Sequence, residues 1–230
     1  MSLPPDQPMT RHQVWAAASR CRAAEGRSWQ VLTDHQDWGS PPLVLPGAPA
    51  AWYQLAAAGG WQAVVADTCH AMAHDIVTAR CEGRSGLTAE WCSLPFSVPV
   101  LCAAATGAGV HALQTSVQAA TAEGLPLRRM VVALVAIGDG RPPPAVRAAA
   151  TMLQPYVSAV VHVPYDSGIR THGMRDADRL KPRSVEAASE LARAVLASAH
   201  GTWGAVLPPA PVPAEFPTAL PARPDFEGVA

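Results

Sequence analysis

Three aspartates stand where carboxylates could do chemistry. Asp34 and Asp37 follow an extended run, Ser28 to Thr33, and Asp67 closes another, Trp61 to Ala66, with the hydroxyl of Thr68 beside it. Carboxylates that neighbouring parallel strands deliver to one sheet edge can hold Mg2+ or orient a water. Asp67 is therefore the metal-ligand candidate, and Asp34 and Asp37 are expected to converge on it. The same acids also serve as turn formers and helix caps, where Asp is common. A second group is Cys69, His70, His74, Asp75, Cys81 and Cys92. His70 and His74 share a face if 69–79 is helical. Such residues can hold zinc, but no Cys-x-x-Cys pair is present and the gaps match no common ligand spacing. Buried thiols and surface imidazoles account for the same residues. Cys69, at a strand-to-helix turn, could also act as a nucleophile with His70 or His162 as base. A third candidate is the turn Thr106-Gly107-Ala108-Gly109, which follows an apolar run and opens a helix. Backbone N–H groups in that context can take a phosphate. It has no lysine, and a plain glycine turn is the competing reading.

These residues are useful only if a sheet brings them together. Short apolar runs bounded by turn residues read as buried strands: 28–33, 61–66, 98–104, 129–137 and 158–163. Helices are expected over 10–25, 50–58, 69–81, 110–123, 145–153 and 184–199, most with a Gly or Pro at a boundary. A turn of helix is also compatible with 88–92, and Leu43 to Leu45 with a short extended piece. Strands alternating with helices at crossover lengths predict an α/β fold, a mostly parallel sheet of at least five strands with helices on both faces. The expected organisation is a loose tail over 1–9, one α/β domain over 10–207, and a Pro-rich tail over 208–230 that buries too little to repay its ordering entropy.

Bulk properties narrow the function classes. The chain has 230 residues, 49% of them hydrophobic, enough for one sizeable core. A net charge of −1 gives no global field for nucleic acid. Arg supplies all but one of the 17 basic residues, the exception being Lys181. Arg128, Arg129, Arg141 and Arg147 have no aromatic residues between them, so no nucleic-acid patch is indicated. His162 reads as a core or edge histidine, and Asp166 and Arg170 as a turn acid and a solvated base. Five cysteines without tight pairs suit reduced thiols in a cytoplasmic protein. The polar stretch Met1 to Pro8 is not a signal peptide, and no apolar run reaches the ~18 residues of a membrane span. The last helix is amphipathic, with Arg183, Glu186, Glu190 and Arg193 on its polar side, and reads as a packing helix rather than an anchor.

Taken in order, residues 10–200 resemble the ParA/MinD-type P-loop ATPases. Trp29 to Asp37 resembles that family's second strand and its acidic turn, here with Asp34, Asp37 and Gly39. Val64-Val65-Ala66-Asp67-Thr68 resembles its Walker B strand. Val131 to Ile137 resembles the strand that ends near an adenine-reading Asn, and Val161 to Arg170, with Pro164, Tyr165 and Asp166, resembles the closing strand and its turn. The resemblance implies a nucleotide with Mg2+ beside Asp34, Asp37, Asp67, Thr68, Gly107, Gly109, Pro164 and Tyr165. The departures are equally specific. Only Met1 to Met9 precede the first expected helix, without a strand or a Gly-Lys-Ser/Thr loop, and Gly138-Asp139-Gly140 stands where the Asn would be. Lys181 lies far downstream next to Pro182. The loop's chemistry needs backbone N–H groups, a lysine and a hydroxyl. Three functions are therefore expected in order: a non-catalytic regulatory or assembly protein working through protein contacts, as a homo-oligomer or with a protein partner; an ATPase whose N-terminus extends beyond Met1; or a small-molecule enzyme using the crevice beside Asp67. Loss of a central strand predicts marginal stability alone or association with a partner.

Overall fold

Residues Met130 to Leu134 are each at most 1% exposed, the longest run of deep burial in the chain. Val, Ala and Leu without a polar interruption can be buried on both faces only in a strand flanked on both edges. This computed structural model describes residues 18–22, 28–31, 47–68, 70–173 and 180–204. The expected tails 1–9 and 208–230, Asp34, Asp37 and Cys69, the piece at 43–45 and most of the helix expected over 10–25 lie outside the described residues.

In chain order the elements are β1 (Ser19–Arg22), β2 (Ser28–Val31), α1 (Pro49–Gly59), α2 (Met72–Cys81), α3 (Leu87–Ser93), β3 (Val100–Ala104), α4 (Gly107–Ala122), a 3-10 turn (Leu127–Arg129), β4 (Val131–Val135), α5 (Pro144–Leu153), β5 (Ala159–Val163), α6 (Ser167–His172) and α7 (Pro182–Trp203). The parallel sheet has the order β3-β4-β5, with Val100 opposite Val131 and Val131 opposite Ala159. Side chains alternate across it. Val132 and Leu134 meet Val110 and Leu113 of α4 and Val146, Ala149 and Leu153 of α5 on one face. The other face of β4 and β5 is packed by α7. There the register sets Cys102 beside Ala133, yet Val100 and Cys102 are exposed while Val131 and Ala133 are buried. The covering on that side therefore stops before β3.

The expected sheet of five or more strands is corrected: among the described residues the parallel sheet has three. The run expected at 28–33 forms β2, but β2 pairs antiparallel with β1 in a separate two-stranded ladder. The described part of the expected first helix is β1 itself, with Cys21 opposite Trp29. A ladder partner only a few residues away in sequence has overridden weak helix periodicity.

The run 61–66 is also not a strand. Residues 62–68 are exposed, Val65 by 97% and Val64 by 55%. The backbone bond in this stretch runs from the Trp61 N–H back to Ala56 at 3.4 Å, closing the left-handed turn at Gly60. A run of apolar residues becomes a strand only if a neighbour supplies ladder bonds, and here β3 does not. The Trp61 ring lies against Gly59 and its indole N–H donates to Gln30 at 2.6 Å, which ties β2 to the end of α1.

Leu134→Ala, which empties the centre of the main cluster, is expected to cost about 2–5 kcal/mol in urea unfolding. Val65→Ala is expected to stay within about 0.5 kcal/mol of the parent, because the valine it removes is in water; a larger loss would show that the stretch packs in solution.

Candidate functional site

The carboxyl ends of β3, β4 and β5 form the edge at which parallel sheets bind ligands. After β3, the Ala105 N–H donates to Val135 at 2.7 Å and the Thr106 N–H to Ala104 at 2.8 Å, so the chain turns sharply into α4. Thr106 Oγ1 accepts from the Gly109 N–H at 3.0 Å and caps the helix. The two glycines of the expected phosphate turn differ. Gly107 faces open space, whereas a Cβ on Gly109 would overlap the carbonyl of Ala104 and sit 3.0 Å from that residue's Cβ. Gly109 is therefore explained by close helix–strand packing.

After β4, residues 137–140 are exposed, and Asp139 pairs directly with Arg183 at 3.3 Å on the surface. After β5, Pro164 and Tyr165 are half-buried, and the Tyr165 carbonyl accepts from Arg183 at 2.7 Å. Asp166 is only 5% exposed. Its carboxylate accepts from the Gly168 N–H at 2.8 Å, the Lys181 N–H at 3.1 Å and the Ser184 hydroxyl at 2.7 Å. It thereby caps α6 and clamps the start of α7 to the end of β5. The Ser184 hydroxyl first, and the backbone N–H groups with it, hold the Asp166 pKa down to about 2. The ammonium of Lys181 donates to Ser167 Oγ at 2.8 Å, at the mouth of the same edge. This pair and Arg183 can fix an anionic oxygen, the ammonium supplying charge and the hydroxyl a second donor.

Asp67 and Thr68 do not reach this cluster through a strand; both lie on the exposed stretch 62–68. Asp67 is nonetheless close to the middle of β3. The Cys102 thiol is pushed up by partial shielding from water and then by the Asp67 carboxylate. The expected convergence of Asp34 and Asp37 on Asp67 lies outside the described residues.

The second expected cluster has a structural explanation. Asp75, buried within α2, accepts from Leu87 N–H at 3.2 Å and Thr88 N–H at 2.8 Å and so caps α3. Burial alone would raise its pKa, but these N–H groups and the Thr88 hydroxyl outweigh it and the carboxyl is held low. His70 bonds the Thr88 hydroxyl at 3.0 Å, Cys92 is buried in a small cluster with Ala120 and Met130, and His74 and Cys81 are exposed. Among the described residues no three His, Cys, Asp or Glu side chains gather in a group that could hold a metal ion. His162 is exposed and lines a shallow groove with Arg147 and Gln154. Sequence reasoning read Asp166 as a simple turn acid and set Lys181 aside. What could have marked them is local: Asp166 stands one residue before a Ser-Gly, and Lys181 before a helix-opening Pro.

With this geometry described, no family model matches the chain, and no match was found among curated proteins or among solved structures. Among the described residues no helix is long and apolar enough to cross a membrane.

Two substitutions separate a packing glycine from a ligand-binding one. Gly109→Ala is expected to cost about 1–3 kcal/mol by overpacking. Gly107→Ala, at the exposed first position of α4, is expected to be neutral or to stabilise by about 0.4–1 kcal/mol. Equal losses at both positions in thermal melts would contradict this. The Asp166 contribution is fully present above the ordinary carboxyl pKa of 3.8 and is lost as pH falls through about 2. Asp166→Asn should lower the Tm at neutral pH and flatten the acid limb of the Tm–pH curve between those values.

Proposed function

We propose that this chain is a non-catalytic regulatory or assembly protein, of the ParA/MinD-like kind, that acts by taking a strand of a protein partner or of a second copy onto the open edge of β3. The observation that carries the reading is that edge. Among the described residues β3 is bonded on one side only, to β4. Its sequence, Val-Leu-Cys-Ala-Ala, has no charge or proline within it. Native edges are usually blunted by lysine, proline or a bulge, because unpaired N–H and C=O groups invite another chain. Val100 is 39% exposed beside them, and Val64 and Val65 add apolar surface from the stretch that carries Asp67. One strand added here would extend the sheet and cover the flank that α7 leaves bare.

A second reading, small-molecule or nucleotide binding at the carboxyl edge, is supported by a different observation: Lys181 donates to Ser167 beside an ion-paired Arg183. The two readings predict different losses. Titration with ATP or GTP and Mg2+ should give no saturable binding under the first. Saturable binding that Lys181→Gln abolishes would favour the second.

The assembly reading is checked by native mass. The chain is expected to run as a dimer or larger, with Cys102 crosslinking between copies, or to become stable only when its partner is added. Val100→Lys should abolish association and leave the circular dichroism spectrum unchanged. A monomer that melts cooperatively at high temperature and is indifferent to Val100→Lys would overturn it.

A further inference from the structure

The opposite, amino end of the sheet holds two arginines with no ion pair among the described residues. Arg128 and Arg129 lie in the 3-10 turn that enters β4, and with Ser158 and the last turns of α7 they line a groove of about 390 Å3. Among the described residues no acidic side chain lines it. Arg129 is half-buried; its guanidinium lies 5.1 Å from the centre of the Trp203 ring, and Nη2 donates to the Cys92 carbonyl. Its Nε is buried without an acceptor. The ion pairs among the described residues join Arg80 to Glu123, Arg84 to Glu82 and Arg183 to Asp139, and none reaches Arg128 or Arg129. A guanidinium withdrawn from water is normally paired, and an unsatisfied buried N–H is rare enough in a folded protein to call for a reason.

The groove's other polar groups point the same way. The Ser198 hydroxyl donates to the Arg129 carbonyl at 2.8 Å and fixes the backbone beneath the arginines, while the Thr202 hydroxyl is used within α7, on the Ser198 carbonyl at 2.8 Å. Ser158 uses its N–H on Met130, and its side chain remains exposed at the start of β5. Two arginine side chains and a hydroxyl lining one groove suit the oxygens of a dianion, and planar arginine forks favour phosphate over a point-charge partner.

We propose that this groove binds the phosphate group of a small phosphorylated ligand, with Arg128 and Arg129 as its charge partners and Ser158 as a hydroxyl donor. Stacking on Trp203 holds the Arg129 guanidinium in place before the ligand arrives, which lowers the entropy lost on binding. The site is separate from the Lys181–Ser167 pair at the other end of the strands and does not depend on the open edge of β3.

Inorganic phosphate and phenyl phosphate, titrated into the full chain at constant ionic strength and followed by tryptophan fluorescence and calorimetry, test it. Saturable binding is expected, with a fluorescence change that Trp203→Phe removes. Arg128→Gln, at an exposed position that leaves the fold intact, should weaken binding at least tenfold, and Arg129→Gln should abolish it. Lys181→Gln should leave it unchanged. No saturable binding, equal binding of acetate, indifference to Arg128→Gln or loss on Lys181→Gln would each overturn the assignment.

Discussion

The parallel sheet and the helices packed on its faces are hung on β4. It is the strand of the parallel sheet with ladder bonds on both sides, and its residues from Met130 to Leu134 are withdrawn from water on both faces. Burying a backbone that thoroughly is tolerable only because β3 and β5 take up its N–H and C=O groups. Its alternating side chains then give α4 and α5 one apolar surface and α7 another. With three parallel strands among the described residues, this ladder also sets the positions of both ends of the sheet and of the polar groups there.

The carboxyl end is held by Asp166. A buried carboxylate with three donors converts the β5 turn, the start of α6 and the start of α7 into one unit. A charge buried in this way is tolerated because its partners are backbone N–H groups and a hydroxyl fixed by the fold. Asp75 does the same on a smaller scale, capping α3 from inside α2. At the amino end the arrangement differs: Arg129 is stacked on Trp203 and half-buried, and among the described residues no carboxylate pairs with it.

Among the described residues β3 is bonded on one side only, to β4. The stretch 62–68 lies near, as the effect of Asp67 on Cys102 shows, yet makes no ladder with it. The stretch that resembles a Walker B strand, Val64 to Thr68, is exposed and forms no strand.

The sequence by itself determined the elements whose signal is local. The runs at β3, β4 and β5 announced themselves as short apolar segments bounded by turn residues, and α1, α4, α5 and α7 because an apolar stripe with Gly or Pro at its boundary needs no knowledge of what it packs on. Tertiary structure decided the rest. Trp61 to Ala66 has the composition of a buried strand, but strand formation requires a neighbour, which no window of sequence contains. Ser19 to Arg22 was read as helix because its partner lies beyond the period that was counted. Gly107 and Gly109 look alike in sequence, and only the carbonyl of Ala104 distinguishes them. Asp166, Lys181 and Arg129 gained their roles from groups distant in the chain, through hydrogen bonds and a stacking contact that exist only once α7 has been laid across β4 and β5.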